Sequence, residues 1–190
     1  MTTQTSAFGK FLLACKTQGV VPTPFVLIVS VASQTAWLLK KPTAFVCPIC
    51  NNKTYDPVKK IRCSTSRFGI SQVAGSNGTP LGLHRVVEKI GGGWPVGTVF
   101  KGRKPVGYTW QGMPDAKITT RILWLEGLEP GVNRGGNVDS HARYIYIHGT
   151  GDETTIGRPM SCGCIHLAAD DLIPLFDKLP GGTLVWIAEN

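Results

Sequence analysis

No hydrophobic run in this chain of 190 residues is long enough to cross a membrane. The longest apolar stretch, 25–32, has the length of a strand, whereas a membrane-spanning helix needs about 20 apolar residues. Residues 1–10 lack a basic segment followed by an apolar one, so no signal peptide is visible. Internal repeats and linkers are missing too, and the length predicts one domain, with at most a short appendage.

Signatures of nucleotide and nucleic-acid binding are also missing. The glycines at 91–93 are not followed by the lysine and hydroxyl residue that hold phosphates in a P-loop. The net charge of +8 predicts a basic surface that attracts anions such as a cell-wall polymer. Its lysines form short scattered clusters without zinc-finger or aromatic RNA-binding patterns, so we expect no nucleic-acid partner.

Glycine and proline are abundant, with 23 and 13 residues, and they favour many turns between short strands. Segments rich in β-branched and aromatic residues predict a mainly β domain. The predicted strands are 25–31, 35–39, 58–64, 82–87, 118–125, 144–147 and 183–188.

Two short helices are expected beside these strands. An apolar stripe over 6–18 predicts the first helix, and 168–179 predicts the second. Asp170 or Asp171 is expected to cap the second helix, with Pro174 tolerated because it would fall in the first turn.

Six cysteines leave the redox state open, because they allow fifteen disulfide pairings or none. They are Cys15, Cys47, Cys50, Cys63, Cys162 and Cys164.

The densest group of reactive side chains lies near His148 and Cys164. A thiolate is the reactive form of cysteine, and a neighbouring imidazole can take the thiol proton. Gly163 lets the backbone approach closely, so that adjacent amide groups could stabilise an oxyanion. These residue types are compatible with a cysteine nucleophile and a histidine base.

The surrounding sequence resembles a known family. Residues 147–150 read I-H-G-T and 156–165 read I-G-R-P-M-S-C-G-C-I, which is similar to the signature of the L,D-transpeptidase catalytic domain, or YkuD domain. Upstream, 64–69 match the family's S-T-x-x-x-G segment and 79–82 its T-P-x-G turn. The resemblance extends over about 25–188.

The resemblance implies a mainly β, sandwich-like or barrel-like catalytic domain with a few short helices. We expect this domain to span 24–190 and to follow an N-terminal helical appendage, 1–23. It implies no metal or organic cofactor, a monomer that acts on peptidoglycan stem peptides, and a place in the cell envelope. Peptidoglycan biosynthesis and the maintenance of cell shape are the processes implied.

The family's reaction is acyl transfer. Cys164 would attack the amide between the third residue of a tetrapeptide stem and its terminal D-alanine, which leaves a thioester. His148 would act as the base, the Gly149 carbonyl would orient its ring, and the amides of Gly163 and Cys164 would form the oxyanion hole. A second stem's amine would then complete a 3-3 cross-link.

Two positions depart from the family's S-H-G-C-I-R pattern. Cys162 replaces a histidine, and His166 replaces an arginine with a group that ordinarily titrates near pH ~6.5. Arg158 or Arg143 would then have to supply a cation for a substrate carboxylate. The residues expected to bind substrate or shape the oxyanion site are Ser161, Cys162, Gly163, His166, Tyr146 and Arg158.

Three alternatives stay open. Water could resolve the acyl-enzyme, which would make the protein an L,D-carboxypeptidase, or the departures could leave a catalytically impaired wall-binding module. A Cys/His zinc site is the third alternative, because Cys162, Cys164, His166 and His148 could form a Cys₂His₂ set beside a C-x-x-C half-site at 47–50.

Overall fold

The computed structural model describes the backbone of residues 2–42 and 55–190, and the side chains from Ala7 onward within those ranges. It contains two helices and ten strands in these residues. The helices are α1 (Thr2–Thr17) and α2 (Ala169–Lys178). The strands are β1 (Phe25–Ser30), β2 (Thr35–Lys40), β3 (Asp56–Arg62), β4 (Gly82–Ile90), β5 (Thr98–Lys101), β6 (Lys104–Tyr108), β7 (Thr119–Gly127), β8 (Tyr146–Gly149), β9 (Ile165–Leu167) and β10 (Leu184–Ala188).

All ten strands belong to one sheet in the order β3-β2-β1-β10-β4-β7-β5-β6, with β8 paired to β7 and β9 to β8. Strands β1 and β2 form an antiparallel hairpin, whereas β1 with β10 and β8 with β9 are parallel pairs. The prediction of a mainly β domain with a few short helices is confirmed.

Both faces of the central strands are buried. Because side chains alternate along a strand, Leu27 and Val29 point into one core, while Val26 and Ile28 point into the other. The first core also collects Ile61 from β3 and residues of β9, which are distant in the strand order. The sheet must therefore curve around this core.

Each core is covered by one helix. Leu172, Leu175 and Phe176 of α2 pack into the first core, while Phe11 and other residues of α1 pack into the second. The proposed division into 1–23 and 24–190 stays a prediction. No helix among the described residues is long and apolar enough to cross a membrane.

The N-terminus of α2 differs from the expectation. Neither Asp170 nor Asp171 caps it, because the N-cap is Ala168 and the amide of Ala169 donates to Glu153 Oε1 at 2.7 Å. Asp171 instead forms an ion pair with Lys59 of β3 at 2.7 Å. Both aspartates lie in the first turn, where their negative charges interact favourably with the positive end of the helix dipole.

The expectation for Pro174 was also wrong. The helix begins at Ala169, so Pro174 lies in its second turn. A proline there removes one backbone hydrogen bond. Apolar residues on either side of it, Leu172, Leu175 and Phe176, are buried against the sheet and hold the helix in place.

Candidate active site

Strands β8 and β9 bring two histidines together. Their parallel register pairs His148 with His166, and the two ring centroids lie 4.7 Å apart. Gly149 follows at a position where a Cβ atom would lie 2.9 Å from the Thr119 carbonyl oxygen. Only glycine fits at that distance without a shift, so β8 can pack closely against β7.

The hydrogen bond of His148 defines its tautomer. Nδ1 lies 2.8 Å from the carbonyl oxygen of Gly149. Because a carbonyl only accepts, Nδ1 carries the proton and Nε2 is the unprotonated nitrogen of the neutral ring. Burial, together with the nearby His166, lowers the pKa of His148 to about 3. The ring is therefore neutral at neutral pH.

Cys164 is partly buried, and backbone groups surround its sulfur. The amide of Tyr146 donates to Sγ and the thiol donates to the Tyr144 carbonyl, each at 3.4 Å. Burial raises the pKa of this thiol to about 11, although the Tyr146 amide and Arg143 oppose the shift. No hydrogen bond of the described chain joins Sγ to His148. The resting pair is a neutral thiol and a neutral imidazole.

The turn before Cys164 is held by Ser161. The Ser161 hydroxyl donates to the Cys164 carbonyl at 2.6 Å and accepts the Gly163 amide at 3.2 Å. Gly163 has a φ of +116°, a conformation that glycine adopts readily. A side chain there would approach the Gly78 carbonyl to 3.2 Å. The described residues provide no acceptor for the Cys164 amide, which leaves it available to a ligand.

His166 is not the half-protonated group expected from its ordinary pKa. Burial lowers its pKa to about 4, so the ring is uncharged at neutral pH. Its Nδ1 is buried without a hydrogen-bond partner in the described part of the chain. His166 therefore does not replace a fixed cation.

A cavity of about 310 Å³ opens above these residues. We call His148, Cys164 and His166 its floor, and the charged side chains Arg67, Asp115, Lys117 and Asp152 its rim. The remaining lining residues are Ile118, Thr150, Thr155, Met160, Ser161 and Cys162.

Some predicted site residues lie away from this cavity. Arg158 is exposed and donates to the Thr154 carbonyl. Tyr146 is buried, and its hydroxyl accepts from Arg103 at 3.3 Å. Neither side chain lines the cavity.

Arg143 has a different role from the one expected. Its guanidinium donates to the carbonyl oxygens of Ser71, Gln72 and Gly78. It lines a second cavity of about 250 Å³, whose wall also includes the exposed Cys162. Cys162 thus lies between the two cavities.

No sequence motif indicates the rim. Arg67 belongs to the segment 64–69, which matches the family without marking this side chain, and Asp115, Lys117 and Asp152 lie in segments without a motif. The turn-rich composition of 109–118 was the only signal that could have indicated a cavity wall.

The described residues contain no group of three or more His, Cys, Asp or Glu side chains that could hold a metal ion. Cys162, Cys164, His148 and His166 therefore do not form the ligand set of the zinc alternative. The half-site at 47–50 lies outside the described residues, and within the described residues Cys15, Cys63, Cys162 and Cys164 form no disulfide.

The fold is that of the L,D-transpeptidases. The chain superimposes on Bd1075 of Bdellovibrio bacteriovorus with a TM-score of 0.54 at 13% identity, over 88% of this chain and 49% of that one. It superimposes on the L,D-transpeptidase LdtMt1, solved in complex with imipenem, with a TM-score of 0.51 at 15% identity. That match covers 87% of this chain and 59% of LdtMt1.

The family model of the YkuD, L,D-transpeptidase catalytic domain matches residues 24–187, and the chain belongs to this family. A segment of 48 residues is 40% identical to YqjB of Bacillus subtilis, which is provisionally named an L,D-transpeptidase. That segment is 25% of this chain and 27% of YqjB. The chain spans about half the length of the two solved structures.

Proposed function

We propose that the protein is a cysteine L,D-transpeptidase that forms 3-3 cross-links between peptidoglycan stem peptides in the cell wall. The observation that carries this proposal is that Cys164 and His148 line one cavity, with the proton of His148 held on Nδ1 by Gly149. The unprotonated Nε2 is then the nitrogen that can act as a base. Family membership supports the same reaction class.

In acylation, the Cys164 thiol proton passes to Nε2 of His148 while the sulfur attacks its substrate. The sulfur attacks the carbonyl carbon between the third residue of the stem and its terminal D-alanine. The Cys164 amide donates to the resulting oxyanion. The Gly163 amide, which donates to the Ser161 hydroxyl at 3.2 Å in the free protein, donates to the oxyanion instead. The imidazolium gives its proton to the D-alanine nitrogen, the C–N bond breaks and a thioester remains.

The second half of the reaction reverses these roles. The side-chain amine of another stem attacks the thioester carbon, and His148 accepts the amine proton. The proton then returns to the Cys164 sulfur as the C–S bond breaks. If water attacks instead, the product is a shortened stem and the protein acts as a carboxypeptidase.

The neutral resting pair affects how this chemistry starts. With a thiol pKa near 11 and an imidazole pKa near 3, the ion pair is disfavoured before substrate binds. Proton transfer is therefore expected to accompany the attack on the carbonyl, as general base catalysis, rather than to precede it.

Imipenem provides a direct test, because it is the compound bound to LdtMt1 in the solved structure. Intact-protein mass is measured under reducing conditions for the parent, Cys164→Ala and Cys162→Ala. We expect one adduct on the parent and on Cys162→Ala, and none on Cys164→Ala. An adduct that is lost in Cys162→Ala and kept in Cys164→Ala would overturn the assignment of the nucleophile.

A second measurement identifies the acceptor. Disaccharide tetrapeptides are incubated with the parent and Cys164→Ala, and released D-alanine and cross-linked dimers are quantified. D-alanine with dimers supports transpeptidation, whereas D-alanine without dimers supports the carboxypeptidase. Neither product from a protein that forms the imipenem adduct would favour an impaired wall-binding module.

A further inference from the structure

The floor of the cavity carries no charge at neutral pH. Burial raises the pKa of Cys164 to about 11 and lowers those of His148 and His166 to about 3 and 4. A charged ligand in the cavity must therefore find its ionic partners elsewhere on the walls.

Two cations on the rim are available for that purpose. The Arg67 amide donates to the Ser161 carbonyl at 3.1 Å, and the guanidinium lies 4.9 Å from the Phe68 ring centroid. Arg67 is thereby tied to the turn that carries the nucleophile. Lys117 lines the same cavity and lies just before β7.

Neither cation forms an ion pair with a carboxylate of the described residues. The ion pairs recorded for the described residues are Lys59–Asp171 and Arg85–Glu126, and neither involves the rim. The charges of Arg67 and Lys117 are thus free to pair with a ligand that enters the cavity.

Two carboxylates lie on the rim near Lys117. The Gly151 amide donates to the Ala116 carbonyl at 2.8 Å, which joins the segment of Asp115 to the segment of Asp152. Oδ1 of Asp152 accepts the Thr154 amide and hydroxyl at 3.1 and 2.6 Å, which orients that carboxylate. The rim therefore presents both signs of charge to the same cavity.

We propose that Arg67 and Lys117 bind the free carboxylate of the leaving terminal residue, and that Asp115 with Asp152 binds the side-chain ammonium of the third residue. This proposal rests on the proposed function, because that reaction places the scissile amide at Cys164. A single carbon separates the leaving nitrogen from its carboxylate, which therefore stays within the cavity. The protein would thus select zwitterionic stems and release one terminal residue.

The test combines three peptides with rim variants. A stem tetrapeptide is compared with its C-terminal amide and with its side-chain N-acetyl derivative, and D-alanine or D-alaninamide release is measured as kcat/KM. In the parent, kcat/KM for each modified peptide should be lower than that for the unmodified tetrapeptide by roughly tenfold or more, because each modification removes a charge-assisted hydrogen bond.

The decisive result is which peptide modification loses its effect in which variant. In Arg67→Gln/Lys117→Gln, the acid and the C-terminal amide should react within about twofold of each other, while the N-acetyl peptide keeps its disadvantage. In Asp115→Asn, the disadvantage of the N-acetyl peptide should shrink instead. Lys41→Gln removes an exposed cation away from the cavity and should keep the parent's full preference.

Failure of this inference differs from failure of the proposed function. Equal rates for the three peptides in the parent, or an unchanged preference in the rim variants, would overturn the proposal. If no peptide is cleaved, calorimetric binding to the Cys164→Ala protein repeats the comparison. If the rim variants change the relative affinities for the three peptides as predicted for kcat/KM, the rim recognises the peptides without catalysis. Equal affinities for the three peptides would overturn the proposal.

Discussion

The floor and the rim of the cavity differ in charge, in burial and in the elements that hold them. His148 and His166 lie on paired strands, Cys164 follows a tight turn, and all three are neutral at neutral pH. The rim consists of charged side chains on connecting segments. In the proposed function, the floor breaks the bond, which requires a fixed arrangement of groups. The rim recognises the substrate, which requires only opposite charges within the same cavity.

The largest expected effect comes from the base on the floor. His148→Gln keeps a side chain that can hydrogen-bond but removes the nitrogen that accepts the thiol proton. We expect D-alanine release to fall by about 10²–10⁴-fold, the usual contribution of a general base. His141→Gln, a substitution of a partly exposed histidine in the loop before β8, is the matched control. A loss of less than tenfold would show that the floor does not depend on this imidazole.

A second prediction concerns the stability of the fold in acid, which depends on the buried His84 of β4 as well as on the two histidines of the floor. His84, His148 and His166 have folded-state pKa values of about 4, 3 and 4, below the value of 6.5 for an accessible histidine. The unfolded chain therefore binds more protons, and the free energy of unfolding must decrease as pH falls from about 6.5 towards 4. Three protons would give a slope of up to about 4 kcal/mol per pH unit.

Urea unfolding across that pH range measures this slope. His166→Gln should reduce it by about one third, because one of the three protons is no longer taken up. A pH-independent stability of the parent would contradict the neutral, buried state of these three histidines.

A third prediction tests the turn that positions the nucleophile. Gly163→Ala places a Cβ atom at φ +116° and 3.2 Å from the Gly78 carbonyl oxygen. We expect a loss of roughly 1–2 kcal/mol in the free energy of unfolding and slower acylation by imipenem. Gly181→Ala, at a position with open space around it, is the control. Unchanged acylation would mean that the Gly163 amide does not contribute to the oxyanion hole.

The floor could be predicted from the sequence and the rim could not. His148, Gly149 and Cys164 belong to short motifs that must keep their spacing, because a strand end and a tight turn place them. The neutral state of His166 could not be predicted from a motif, because the burial of its ring depends on the pairing of β8 with β9, which are separate segments of the chain. Lys117 has no motif, because exposed charges on loops can be placed in many ways.

The fold shows the same contrast. Strands with buried β-branched residues, such as β1 and β7, were predicted with small errors in their ends. The hairpin of β5 and β6 was missed, because its second strand contains Pro105 and Gly107 and is largely exposed. Strand β9 has three residues and forms only through its partner β8. The local sequence pattern therefore predicts strands that bury their own side chains. It fails for strands that are stabilised mainly by hydrogen bonding to a neighbouring strand.

The smallest expected effect lies where the rim meets the rest of the fold. Glu153 follows the rim residue Asp152 and accepts the Ala169 amide, so it caps α2 from another segment. Glu153→Gln keeps an acceptor but removes the charge at the helix N-terminus, and should cost about 0.3–1 kcal/mol of stability. If floor and rim are separate, kcat for D-alanine release stays unchanged in this variant. A raised KM with an unchanged kcat would mean that α2 positions the rim, whereas a lowered kcat would show that the floor also depends on this contact and would break the separation.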